Sequence, residues 1–224
     1  MYQIIGFLAF IISVLVSGIL KRKFKTFSET RLLAGLSGRE VAEKMLRDNF
    51  IHDVKVISVE GRLTDHYDPT KKTVNLSHDV YNGINIAAAA VAAHECGHAV
   101  QHAKAYAFLE FRSMMVPAVS FASKYLSIFM FIGFLMIKRF PILFDLGIVM
   151  FAITTLFTLI TLPVELDASD RALSWLKSAR ISNEIEYPKA KNALFWAAMT
   201  YVVAAIGSVA NLMHLMSVRN REEN

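Results

Sequence analysis

The chain has 224 residues, a length that suits one catalytic unit or a small soluble module joined to membrane helices. Hydrophobic residues make up 54% of it and the mean hydropathy is +0.41, which excludes a typical soluble domain of this size. The formal charge of +5 is modest, and no basic stripe with interleaved aromatic residues supports nucleic-acid binding.

The first predicted element is a membrane helix at residues 1–20. This stretch carries no charged side chain and has the length of about 20 residues that a spanning helix needs. It ends at a basic cluster, residues 21–25, and lacks both a basic leading segment and a cleavage site of small residues. We therefore predict a transmembrane anchor. Because basic residues favour the cytoplasmic side of a membrane, we expect residues 21–112 in the cytoplasm.

The segment after the anchor predicts a small mixed module. Residues 38–50 have the pattern of a short amphipathic helix, and residues 54–59 that of a strand. Residues 63–67 and 73–76 flank a turn that contains Pro69, which predicts a hairpin or a meander. The simpler interpretation of the strand at 73–77 is an ordinary structural hairpin; alternatively, an extended peptide could add to its edge.

An alanine-rich run at residues 87–93 predicts one long helix from about residue 84 to residue 102. High helix propensity alone explains the alanines. Alternatively, the small side chains let a neighbouring backbone approach this helix closely. Both interpretations stay open from the sequence.

This predicted helix carries His-Glu-Cys-Gly-His at residues 94–98, an H-E-x-x-H pattern. Residues four apart on a helix share a face, at about 5–6 Å between Cβ atoms, so His94 and His98 can hold one Zn²⁺. Glu95 lies beside them, where it can take a proton from a zinc-activated water. His102 continues the row, but eight residues span about 12 Å of helix axis, so it cannot reach the same ion. We expect it to support the ligands or to face the substrate.

Three further apolar runs predict spans at residues 113–137, 146–164 and 194–218. Lys124 lies near the middle of the first, so we expect it to face a protein or water-lined interior, or to mark a break in the helix. A hairpin that only dips into the membrane is the alternative for residues 113–163. The predicted order is a transmembrane hairpin at 113–164, a cytoplasmic helix at 165–193, a transmembrane helix at 194–218 and a tail at 219–224.

A catalytic zinc site has three protein ligands and one open position. Glu165 is a candidate for the third, since it follows an apolar run on the predicted side of the H-E-x-x-H helix. It could also be an ordinary acid in the first turn of a helix. Asp167 and Asp170 lie nearby, and the spacing does not separate the three.

Two long motifs, at residues 94–101 and 162–169, resemble the bacterial membrane family of neutral zinc metallopeptidases, the YugP-like proteins. Shorter matches lie at residues 66–69 and 74–77. The likeness covers most of the chain. More distantly, the chain is similar to membrane gluzincins of the HtpX and CAAX-prenyl-protease type.

In that wider group, a glutamate of an E-x-x-x-D motif is the third zinc ligand. The resemblance therefore implies His94, His98 and Glu165 as ligands, with Glu95 catalytic. The residue four after Glu165 is Ser169 rather than Asp, so Ser169 or Asp170 would support a ligand histidine by a hydrogen bond.

The expected fold is a mainly α membrane protein with about four transmembrane helices and a small cytoplasmic α+β zincin-like catalytic module. The expected function is zinc-dependent peptide hydrolysis with one Zn²⁺ per chain, acting on a peptide or membrane-protein substrate. We expect the chain in the inner (plasma) membrane of a bacterial cell, in contact with the lipid bilayer and with its active site facing the cytoplasm. The single cysteine, Cys96, excludes an intrachain disulfide and fits a reducing compartment.

Several points stay open from the sequence. A membrane scaffold with a structural or catalytically silent metal site is the main alternative. A haem protein is a second alternative, although two histidines four apart on one helix cannot lie on opposite faces of a haem. A donor to the developing oxyanion is expected, and four residues are available for this role: His78, Tyr81, His102 and His214.

Overall fold

The computed structural model describes the backbone of residues 2–223 and the side chains of residues 4–221. Met1, in the predicted anchor, and Asn224, in the predicted tail, lie outside the described residues. The helices are α1 (Tyr2–Ser28), α2 (Gly38–Asp48), α3 (His78–Asn82), α4 (Ile86–Ala103), α5 (Ala107–Leu135), α6 (Pro141–Ser178) and α7 (Tyr187–Glu223). The strands are β1 (Lys55–Val59), β2 (His66–Asp68) and β3 (Thr73–Ser77).

Four helices in the described part of the chain are long and apolar enough to cross a membrane: α1, α5, α6 and α7. The predicted mainly α membrane protein with a small mixed module is therefore confirmed. The helices continue beyond the apolar runs that revealed them. In particular, α6 passes through the predicted boundary at residues 164 and 165 without a break, and α7 runs through most of the predicted tail.

The chain forms two compact units. The membrane unit consists of Met1–Leu15, Glu110–Pro163 and Thr200–Asn224, and the site unit consists of Val16–Leu109 and Val164–Met199. Each unit therefore combines segments that are far apart in the sequence.

Close backbone packing characterises the membrane unit. A Cβ atom added to Gly133 of α5 would lie 2.6 Å from the Cα atom of Phe144 in α6, so only glycine permits this approach. Phe144 itself is buried. These contacts make α5 and α6 a tightly packed helical hairpin.

Lys124 differs from its prediction. It lies on an unbroken α5 and its side chain is exposed, so it neither breaks the helix nor faces an interior of the chain. Its Nζ atom lies 5.4 Å from the ring centroid of Tyr125. A cation–π contact of this kind stabilises the ammonium group by about 0.5–2 kcal/mol, which offsets part of its cost in an apolar setting.

In the site unit, α2 has the amphipathic pattern that the sequence predicts, with Val41, Met45 and Leu46 buried. Ser37 begins it with a capping box, in which the Ser37 hydroxyl accepts from the N–H of Glu40 and the Glu40 carboxylate accepts from the N–H of Ser37. The cap fixes where the helix starts, and the apolar face fixes which side turns inward.

The small sheet has the order β1-β3-β2, with β1 parallel and β2 antiparallel to β3. A meander is therefore excluded, although β2 and β3 do form the predicted hairpin. β3 is the central strand, and all five of its residues are buried. The alternative that an extended peptide adds to an edge of residues 73–77 is excluded, because hydrogen bonds to β1 and β2 use both edges of β3.

The alanine-rich helix α4 lies at the centre of the site unit and contacts α2, α3, β2 and β3. Asn85 caps its start by accepting from the N–H of Ala88. The alanines are packed: Ala90, Ala92 and Ala93 are fully buried. A Cβ atom added to Gly38 of α2 would lie 2.2 Å from the carbonyl oxygen of Val80 in α3 and 3.4 Å from that of Ala88, so the backbone of α2 passes close to that of α4. Small side chains on α4 thus permit the close approach that was one of the two interpretations of the run.

Candidate metal centre

The structure brings together three side chains, from α4 and α6, that could hold a metal ion. One ligand atom from each of His94, His98 and Glu165 lies within 4.8 Å of the other two. Glu165 Oε2 is 3.2 Å from His94 Nε2 and 3.7 Å from His98 Nε2. The imidazole ring centroids are 4.9 Å apart, with the planes at 83°. Both rings therefore point their Nε2 atoms at one carboxylate oxygen.

These separations fit zinc. Ligand atoms at about 2.0–2.1 Å from a tetrahedral ion lie about 3.3 Å from one another. Two imidazoles and a carboxylate also match the ligand types of catalytic zinc sites, which keep a fourth position open. The arrangement gives no support to a haem, since the two histidines share one helical face.

The remaining nitrogen of each imidazole has its own partner. Ser169 Oγ lies 3.1 Å from His94 Nδ1, and Gln101 Oε1 lies 3.0 Å from His98 Nδ1. Both contacts leave Nε2 directed at the shared position. Ser169 therefore occupies the supporting place for which the sequence offered Ser169 or Asp170, while Asp170 is exposed.

Gln101 fixes the proton of His98 by its own hydrogen bonds. It is completely buried, and its Nε2 donates to the carbonyl oxygen of Val164 at 2.8 Å and to Asp167 Oδ2 at 2.7 Å. These two acceptors fix the orientation of the amide group, so that Oε1 faces His98 Nδ1 and accepts its N–H; in the neutral imidazole the lone pair is then on Nε2. Asp167 also accepts from Arg171.

Gly97 lets the two helices of the centre come together. A Cβ atom at this position would lie 2.5 Å from the carbonyl oxygen of Ala168, a contact that real Cβ atoms do not make. Gly97 lies between the two histidines in the sequence, and Ala168 lies between Glu165 and Ser169. The absence of a side chain therefore allows the ligands of α4 to reach those of α6.

Glu95, the predicted base, is buried on α4 beside the two histidines. Burial raises the pKa of its carboxyl group; the neighbouring His94 and His98 oppose this, while the Glu165 carboxylate adds to it. For His98, burial lowers the pKa, but the hydrogen bond and charge of Glu165 outweigh burial and leave it raised. A carboxyl group that holds a proton more readily than usual suits a proton acceptor.

His102 stays apart from the ligand cluster, as the helix geometry predicts. Its Nδ1 atom lies 2.8 Å from the hydroxyl oxygen of Tyr67 on β2. Burial is the main cause that raises the pKa of Tyr67 to about 12. The phenol therefore keeps its proton and can donate a hydrogen bond to His102. This contact ties β2 to α4 one helical turn beyond His98.

The other candidates do not join the cluster. His78 begins α3 and is exposed, the ring of Tyr81 lies 5.7 Å from the guanidinium carbon of Arg39, and His214 belongs to the membrane unit. Cys96 is buried, with its Sγ atom 3.5 Å from the carbonyl oxygen of Ala42. It is a packing residue of the core.

Sequence reasoning missed Gln101 and Tyr67. A signal for Gln101 was present, because it lies three residues after His98 and thus on the same helical face. Tyr67 gave no comparable signal, since the contact with His102 depends on how the sheet packs against α4.

Comparison with known proteins relates the chain to zinc peptidases. The family described as "putative neutral zinc metallopeptidase" matches residues 2–220. The chain is also 39% identical over 206 residues to the "Putative membrane protease YugP" of Bacillus subtilis (strain 168), which covers 91% of each chain. No solved structure is significantly similar. The chain belongs to the family of putative neutral zinc metallopeptidases and is an integral membrane protein.

Proposed function

We propose that this chain is a membrane zinc metalloprotease of the gluzincin type, with one Zn²⁺ held by His94, His98 and Glu165 and with Glu95 as general base. One observation carries the proposal: two imidazoles of one helix and a carboxylate of another converge within 4.8 Å. The hydrogen bonds of Ser169 and Gln101 support it, since they leave both Nε2 atoms available to a metal.

The proposed chemistry is hydrolysis of a peptide bond. A zinc ion held by the three ligands supplies a Lewis acid that polarises the scissile carbonyl group and lowers the pKa of water. Glu95 accepts the proton of the attacking water and returns it to the nitrogen of the leaving amine. Gln101 and Ser169 keep the imidazoles in place, so that neither has to reorient during the reaction.

We further propose that the site faces the cytoplasm and acts on membrane proteins or their loops. Glu165 directly follows an apolar run in α6, and residues 21–25 directly follow the run in α1, so site residues lie close in sequence to bilayer segments. Since β3 is the central strand, the edge available to an extended substrate is the outer edge of β2, a strand that contacts α4.

Glu95→Gln tests the function. The amide has the shape of the carboxylate but takes no proton, so we expect hydrolysis of casein to fall by a factor of at least about 100, with zinc content unchanged. Undiminished hydrolysis by Glu95→Gln would show that Glu95 is not the base, whereas no hydrolysis by the wild-type protein with zinc bound would favour the scaffold hypothesis. Glu43→Gln, which changes a partly exposed carboxylate of α2 in the same way, is the matched control and should leave the rate unchanged.

A further inference from the structure

A cavity of about 710 Å³ lies in the site unit beside the first half of α4. Its walls come from the end of α1, the loop before β2, α3 and the first turn of α4. Its apolar lining consists of Phe24, Leu63, Val80, Ala87 and Ala88. This volume lies within the range of about 300–1,000 Å³ that is typical of ligand sites.

Most polar groups of the lining already have partners within the protein. The Asp65 carboxylate accepts from the N–H and the hydroxyl group of Ser77, and Asp79 Oδ2 lies 3.4 Å from Arg62 Nε. Asn85 is used as the cap of α4. Lys21, Lys25 and Glu29 also line the cavity, and the rest of the surface left for a ligand is mainly apolar.

Leu63 is the most unusual residue of the lining. Its side chain is 71% exposed at the cavity, and its φ angle is +58°. This left-handed conformation costs an ordinary residue about 1–2 kcal/mol. The protein thus exposes an apolar side chain to solvent at a position where glycine would have less backbone strain.

The cavity and the candidate metal centre share α4, since Ala87 lines the cavity and His94 belongs to the centre. Ala87 and His94 are seven residues apart and lie on nearly the same helical face, about 10 Å apart along the axis. Val91, between them, is only partly buried. An extended polypeptide covers about 10 Å in three residues. A chain with its scissile bond at the centre would therefore place the third residue from that bond at the cavity.

We propose that this cavity binds an apolar segment of the polypeptide substrate, about three residues from the scissile bond. The assignment of the occupant as substrate rests on the proposed function. Lys21 and Lys25 at the cavity directly follow the apolar run of α1. A substrate segment that has just left the bilayer would therefore meet the cavity first.

A thiol-protection experiment on the full-length, zinc-loaded protein in detergent tests binding without relying on hydrolysis. The native Cys96 is fully buried, so a cysteine introduced by Leu63→Cys is the reactive thiol among the described residues. The maleimide labelling rate is measured with a decapeptide that has Leu-Leu-Phe at its centre, and with one that has Ser-Ser-Asn there. At about ten times its Kd, the apolar peptide should slow labelling about tenfold, and the polar peptide should not.

Phe50→Cys is the matched control, because Phe50 is also an exposed apolar residue, 86% accessible, with a φ angle of +59°, but it does not line the cavity. Its labelling should be unaffected by either peptide. Equal labelling of Leu63→Cys with and without the apolar peptide, or equal protection by both peptides, overturns the inference.

Cleavage sites in casein give the second readout. The wild-type protein should favour apolar residues about three positions from the cleaved bond, and Leu63→Asp should lose this preference by about tenfold, with zinc content unchanged. Protection without any cleavage supports the binding site and contradicts the proposed function. Cleavage with no apolar preference and no protection supports the protease and contradicts the cavity assignment.

Discussion

Two neutral side chains, Ser169 and Gln101, determine how the histidines of the centre point. Each lies at hydrogen-bond distance from the Nδ1 atom of one imidazole, so that the Nε2 atom is left for the metal. Such supporting hydrogen bonds usually contribute a factor of about 10–100 to metal affinity. Substitution of either residue should therefore change the affinity for zinc, although neither side chain would contact the ion.

Ser169→Ala should weaken zinc binding by about tenfold, because His94 loses the group that fixes its ring. Ser169→Asp should restore or increase the affinity, because a carboxylate accepts the same hydrogen bond with a charge. Competition with a fluorescent chelator measures both. Equal affinity in the wild-type protein and Ser169→Ala would show that Ser169 does not orient His94.

Gln101→Leu should destabilise the metal-free protein by about 1–3 kcal/mol, because the buried carbonyl oxygen of Val164 and the partly buried carboxylate of Asp167 lose their donor. It should also lower zinc affinity, since His98 loses its fixed proton position. Thermal unfolding in detergent and chelator competition measure the two effects. An unchanged unfolding temperature would contradict the hydrogen bonds assigned to Gln101.

At the scale of elements, the centre depends on how closely α4 and α6 approach each other at Gly97. Gly97→Ala should push the helices apart, because its Cβ would lie 2.5 Å from the carbonyl oxygen of Ala168. We expect zinc affinity to fall by at least about tenfold, since ligands on both helices are displaced. Gly18→Ala is the matched control, because nothing lies within 4 Å of a Cβ added there. Similar zinc affinity in the two variants would show that the helix contact does not control the centre.

Two helices of the site unit, α2 and α4, could be predicted from local patterns, and their packing could not. Apolar spacing and alanine content predicted α2 and α4, and the turn at Pro69 predicted the β2–β3 hairpin. The position of β1 beside β3 is a long-range parallel pairing, which no local pattern encodes. For that reason the central place of β3, which leaves no edge for a peptide, was not predictable from the sequence. The short helix α3 was also missed, since five residues carry too little periodicity.

At the scale of the whole molecule, composition revealed the membrane spans, because an apolar run of about 20 residues is long enough to cross the hydrocarbon core as a helix. The surroundings of Lys124 were not predictable in the same way. Its exposure and its contact with Tyr125 depend on the rotation of α5, which a single charge does not determine. Glu165 was proposed as the third ligand through the resemblance, since spacing alone left Glu165, Asp167 and Asp170 equivalent.

The proposed orientation in the membrane can be tested with single cysteines. Lys138 and Glu184 are both exposed, in the connections between α5 and α6 and between α6 and α7. On intact cells, a membrane-impermeant maleimide should label Lys138→Cys and should label Glu184→Cys only after lysis, because the connection after α6 is proposed to be cytoplasmic. The opposite labelling pattern would reverse the orientation.

The identity of the ligands is tested most directly by metal analysis of the purified protein beside Glu165→Ala and Asp170→Ala. The wild-type protein and Asp170→Ala should each bind about one zinc per chain, and Glu165→Ala should lose most of it, because two imidazoles alone hold zinc weakly. Full zinc content in Glu165→Ala would contradict the centre described for this chain.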